Sequence, residues 1–169
     1  KEARLALEIA GSGSRASFGP LSGTVPPPDN LAREAWRRGV AAADRARGLF
    51  NISEIDPKGG REVLDRLGID TEIGGNARIE TDNIIGAVVR NEDEMQLGLI
   101  QPSQEQRRFA AARGVFAAWN SGRHDAHLLT PAITRDQQAN RAFAAELMAP
   151  IALIRRRFRT DGKSASSID

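Results

Sequence analysis

Three stretches of the chain hold residue types whose spacing can do chemistry. The first is His124-Asp125-Ala126-His127, two imidazoles and a carboxylate within four residues, with Asp136 a short way downstream. Imidazole and carboxylate are ordinary ligands of a borderline divalent metal, so His124, His127 and Asp136 are weak candidates for one. The plainer reading of that stretch is a polar loop with exposed histidines. The second is "RRFAAARGVFAAW" (107–119), a helical sequence in which positions 113 and 117 stand one turn apart on one face. A His-Glu-x-x-His zinc site needs that geometry, with a general base at the position after the first histidine. Here the three positions carry Arg113, Ala117 and Gly114, which neither ligate zinc nor accept a proton from water. The third is "IRRRFR" (154–159), where Arg155, Arg156, Arg157 and Arg159 surround Phe158 as a candidate basic patch. Basic residues around an aromatic can track a phosphate backbone. Such runs are more often the solvated end of a helix, where cations suit the negative terminus.

The elements that position these residues are legible from patterning. Ser103 with Gln106 forms a capping-box pattern that opens a helix ending near Gly122. On it Phe109, Ala112, Phe116 and Trp119 fall in one arc, with Arg113 at its edge. Thr134 with Gln137 repeats the pattern and opens "TRDQQANRAFAAELMA", whose buried arc is Ala139, Ala142, Phe143 and Leu147. Glu146 falls inside that arc, and a buried carboxylate needs a partner. Arg113 and Glu146 are therefore a candidate buried polar pair, directly or through Gln138 or Arg141. The alternative is that Glu146 caps nearby backbone or reaches solvent at the helix edge. Residues 122–133, between the two helices, read as a loop.

Upstream, "IIGAVVRNEDEMQLGLIQP" places two apolar runs around a polar turn, a hairpin closed by Pro102. "GREVLDRLGI" is a short helix with Val63, Leu64 and Leu67 inward and Gly68 as its stop, and "LDRLGID" running into "TEI" suggests a helix feeding a strand. A longer helix follows Asp29 or Asn30, with Leu31, Ala35, Val40, Ala42, Ala43 and Leu49 on one face and Arg33, Arg37, Arg38 and Arg45 on a solvated one. "KEARLALEIA" has helical spacing, whereas residues 11–30, rich in Gly, Pro and Ser, read as a linker or an arm anchored by Phe18, Leu21 and Val25. This divides the chain into residues 1–29, a helix with its arm or linker; 30–160, the main domain; and 161–169, a flexible tail.

"RRFAAARGVFAAW" followed by "TRDQQANRAFAAELMAP" resembles the ImmA/IrrE family of zinc metallopeptidase-like proteins. The match is closest at "FAAELMAP" (143–150), and the likeness covers roughly residues 30–158. It implies an α+β fold, a zincin-like helical domain with a small β-sheet or hairpin. It also implies that Arg113, Gly114 and Ala117 stand at the positions of the two histidines and the glutamate. The third ligand, a carboxylate early in the second helix, falls near Gln137 and Gln138, which are amides. These five are former active-site positions, and the chain is expected to be a degenerate member without catalytic residues and without zinc. The resemblance further implies a bacterial regulator of transcription, stress or phage response, with a protein partner and DNA contact through an upstream helix-turn-helix domain. A chain that opens on Lys1 rather than Met leaves room for such a domain.

Composition sets outer limits. With 169 residues, 40% of them hydrophobic and 27% charged, the chain is about one globular domain long. Cysteine is absent, which removes disulfides, thiolate zinc sites and cysteine nucleophiles together. No apolar run approaches the roughly 18 residues that span a bilayer, and "LALEIA" is too short for a signal peptide. No membrane partner and a cytoplasmic location are expected. The net charge of +2 does not by itself point to nucleic acid. Two other functions fit the residues: a zinc peptidase with a relocated metal site, and a nucleic-acid-binding module using the arginine-rich C-terminal helix.

Overall fold

The computed structural model describes residues 2–30, 34–72 and 83–164, with side chains as far as residue 160. Among them, six helices surround one antiparallel sheet, an α+β arrangement. In chain order these are α1 (Glu2–Gly11), β1 (Ser14–Ser17), a 3-10 turn at Gly19–Leu21, α2 (Ala35–Leu49), α3 (Gly59–Arg66), β2 (Gly86–Asn91), β3 (Glu94–Leu99), α4 (Gln104–Trp119), β4 (Ala126–Leu129), α5 (Arg135–Met148) and α6 (Ile151–Ser164). The strands lie in the order β1-β3-β2-β4. None of the described helices is long and apolar enough to cross a membrane.

The period of two along β2 and β3 divides the sheet's neighbours. Val88, Met95, Leu97 and Leu99 face the large core, while Ala87 and Val89 face α1, where Ala6, Ile9 and Ala10 pack. Gly98 lets α1 lie directly on β3, since a side chain there would overlap the Ile9 carbonyl. On the opposite face α4 rests against β2, β3 and β4, and α5 packs beside α4 with α2 closely against it. Between them are Trp119, Phe116, Phe143 and Leu147, each contributing about 1.5–3 kcal/mol by burial.

The hairpin forms as its sequence predicts, with a two-residue turn at Glu92-Asp93, Glu92 taking φ 55°. Both ends of the capping box at Ser103 and Gln106 are made. Gly68 closes α3 at φ 78°, with Val63, Leu64 and Leu67 buried.

Three expectations are corrected and one is tested only in part. Residues 11–30 are an arm and no linker: β1 forms the sheet's edge beside β3, and Phe18 and Leu21 are buried anchors, although Val25 is exposed. The interval 122–133 is not all loop, because Ala126–Leu129 pairs with β2 as the opposite edge. The inward face of α4 is not one arc. From Ala110 to Trp119 every residue except the half-buried Ala117 is buried, since the helix is enclosed by the sheet on one side and α5 on the other. The expected strand after Gly68 does not begin by Glu72, and its remainder, like Leu31 and Arg33, lies outside the described residues.

Candidate functional site

Arg113 is 3% exposed at the middle of α4. Its Nε donates to Asn140 Oδ1 at 2.8 Å, and its Nη2 donates to Gln137 Oε1 at 2.6 Å and to the Thr130 carbonyl at 2.7 Å. Asn140 Nδ2 in turn donates to Gln137 Oε1 at 3.2 Å, closing a ring of three side chains. All three acceptors on the guanidinium are neutral. Burial, aided by repulsion from Arg141, lowers the Arg113 pKa to about 10, so the group stays cationic at neutral pH.

The second helix is built to reach this point. Thr134 caps α5 by accepting from the Gln137 N–H. Gln137 does not return the bond as a capping box would. Its side chain turns inward, Oε1 to Arg113 and Nε2 to the Leu128 carbonyl at 3.1 Å. The carbonyls of Asp125 and Leu129 accept from Arg90 on β2 and from Ile85 just before it, so strand alternation puts those of Leu128 and Thr130 on the outer edge of β4 and its extension. Gln137 and Arg113 occupy those edge acceptors. Beyond them, Arg141 donates to Pro131 and Ala132, and Gln138 donates to Ile133. The backbone from Leu128 to Ile133 is thus held by side chains of α4 and α5.

Of the positions that the resemblance aligns with a metal site, Arg113 and Gln137 meet directly, and Gln138 holds the adjoining loop. Ala117 lies half-buried one turn beyond Arg113. Gly114 faces elsewhere: a Cβ there would overlap Leu97 Cδ1 and sit 3.6 Å from Leu129 Cδ1. A carboxylate at position 114 would therefore enter the sheet's apolar face, away from the cluster around Arg113. These residues do not fit a zinc ion, since amide, guanidinium, glycine and alanine provide neither a ligand set nor a base.

The Arg113–Glu146 pair is not formed. Glu146 instead accepts from the Ile151 N–H at 3.2 Å, at the start of α6. Partial burial is the chief cause that raises its pKa, with the Asp44 carboxylate contributing, against the Ile151 bond and the charges of Arg47 and Arg155. Asn140 takes the place beside Arg113 that the buried-arc pattern predicts for Glu146. It is the polar residue at the centre of α5's buried face.

The two histidines do not converge. His124 lies in the turn before β4 and His127 within the strand. His124 is exposed, with Nε2 3.3 Å from Glu92 Oε1. His127 pairs with Val88 and lies on the α4 face, its Nε2 buried without a protein partner. Asp125 accepts from the Gly122 N–H, and Asp136 lies in the first turn of α5. Among the described residues no three His, Asp or Glu side chains converge on a metal position. Arg155, Arg156, Arg157 and Arg159 are all exposed on α6.

The sequence pattern does not single out Arg47. It is 2% exposed, and its Nη1 and Nη2 donate to the carbonyls of Ser53 and Leu147 at 2.7 and 2.6 Å. Burial lowers its pKa against the raising charges of Asp56, Glu146 and Asp44. The signal available was its place among alanines and glycine on α2, within the run of small residues that α5 packs against.

No protein family, no curated protein and no solved structure matches this chain.

Proposed function

We propose that this chain is a degenerate ImmA/IrrE-like domain in which a guanidinium-centred polar cluster replaces a metal centre, and that it serves as a regulatory sensor or interaction module. The observation that carries the reading is Arg113 seated among Gln137, Asn140 and the Thr130 carbonyl. A peptidase of this type needs ligands, a base and a free strand edge beside them on which to lay a peptide. Here the two ligand-helix positions are Arg113 and Ala117, position 114 points into the sheet, and the outward carbonyls of Leu128 and, just past β4, Thr130 are already bonded. Such a cluster fixes the geometry of α4, α5 and β4 without performing a reaction. Regulation then rests on surfaces, with DNA contact supplied by a helix-turn-helix domain upstream.

The test is proteolysis of an unstructured substrate such as casein by the purified chain, with zinc and with a chelator. The expected result is the same background cleavage in both. Cleavage that zinc supports, the chelator removes and Arg113→Ala leaves intact would sink the proposal in favour of a relocated site.

A further inference from the structure

α6 leaves the body after its first turn. Ala152 and Leu153 are half-buried, but every residue from Ile154 to Thr160 is exposed, and among the described residues no other element packs extensively along the helix, whose inner face only borders an open cleft with Glu54 and Ile55. Its large apolar side chains do not turn back toward the core. Ile151, Ile154 and Phe158 are 47%, 38% and 74% exposed, and their spacing of three and four places them in one stripe. At 100° per residue that stripe is centred on the face opposite Ala152 and Leu153. The other exposed large hydrophobic residues, Leu7, Val25, Trp36 and Ile133, belong to different segments.

The same spacing is that of a heptad seam, with Ile151, Ile154 and Phe158 at successive a, d and a positions. Arg155 then falls at the flanking e position, close enough to Glu146 for their charges to interact, and Arg157 at g. In paired helices these flanks face the partner's e and g residues and decide which partner is accepted. A second copy of this chain docking through α6, parallel or antiparallel, sets arginine against arginine. The seam is also only about 60° wide, bordered by arginine on each side, which suits a single facing helix more than a bilayer. Nucleic acid would use the arginines and at most stack a base on Phe158, leaving Ile151 and Ile154 in water.

We propose that α6 is a docking helix for a partner's amphipathic helix with an apolar seam and acidic flanks. The apolar stripe supplies the contact area, and Arg155 and Arg157 select glutamate or aspartate and reject self-association. This goes beyond the reading of α4 and α5 and stands whether or not that reading does.

The experiment uses the full chain and a labelled synthetic helical peptide with leucine at a and d and glutamate at e and g, followed by fluorescence anisotropy. A second peptide carries lysine at e and g. The acidic peptide is expected to bind at least about tenfold more tightly than the basic one, with the difference shrinking as salt is raised. Phe158→Asp should abolish binding, and the double variant Arg155→Glu, Arg157→Glu should reverse the preference between peptides. Unchanged denaturation midpoints in these exposed variants would show that docking and not folding was altered. Failure of the acidic peptide to bind, equal binding of both peptides, or tighter binding to duplex DNA or to phosphatidylserine-containing vesicles would each overturn the proposal.

Discussion

Arg113 carries a buried positive charge and satisfies it with amide and backbone oxygens instead of a carboxylate. Truncating it leaves Asn140 Oδ1, Gln137 Oε1 and the Thr130 carbonyl short of a donor. Arg113→Ala is expected to cost about 2–4 kcal/mol in urea denaturation, from unpaired acceptors and the space left behind. Arg113→Lys should recover only part of this, because an ammonium does not present the fork that reaches three acceptors. At Glu146 the sign runs the other way. Its folded pKa is raised above the ordinary 4.5, so its contribution to stability is present below that value and lost as pH rises through the folded pKa. Glu146→Gln keeps an acceptor for the Ile151 N–H and removes the charge. Its thermal midpoint should exceed that of the parent at pH 7 and converge with it near pH 4. The residue types of this site were legible, but their pairing was not. Glu146 attracted attention as a carboxylate in an apolar arc, whereas the uncharged Asn140 gives no such signal and is the group that meets Arg113.

Helices α4 and α5 approach their neighbours at glycines, and the two approaches differ in kind. A side chain at Gly39 on α2 would overlap the Ala139 carbonyl oxygen on α5, which is backbone. One at Gly114 would overlap the end of Leu97, which can turn away. Gly39→Ala should therefore lower stability by about 1–3 kcal/mol and Gly114→Ala by clearly less, measured side by side in denaturant. Elements with strong local signals were readable: the hairpin from its two apolar runs, α4 from its capping box, the end of α3 from Gly68. The edge strands were not. "SRAS" has one buried residue, and "AHLL" sits beside charged and polar neighbours, so each is recognisable only once the hairpin offers it an edge. The full burial of α4 was likewise hidden. Arg113 in its middle looks like the border of an apolar face until Gln137 and Asn140 are opposite it.

Across the whole molecule, arginines hold loops by donating to backbone carbonyls. Arg90 donates to Ala118 and Ser121 at the end of α4, and Arg66 to Phe50. Arg107 donates to Thr71, Glu72, Gln101 and Pro102. The excess of arginine over lysine thus has a structural use at particular positions, which composition alone does not reveal. Because α1 covers one sheet face and β1 forms one edge, removal of residues 1–17 should expose Ala87 and the row beside it, giving an aggregated or poorly cooperative product by chromatography and thermal melting. In the proposed function a guanidinium fills the position of a metal centre, and zinc content per chain, measured by atomic emission after dialysis from excess zinc, decides it. Far less than one zinc per chain is expected, with the same value for Arg113→Ala. One tightly held zinc per chain, lost together with fold stability on chelation, would contradict it.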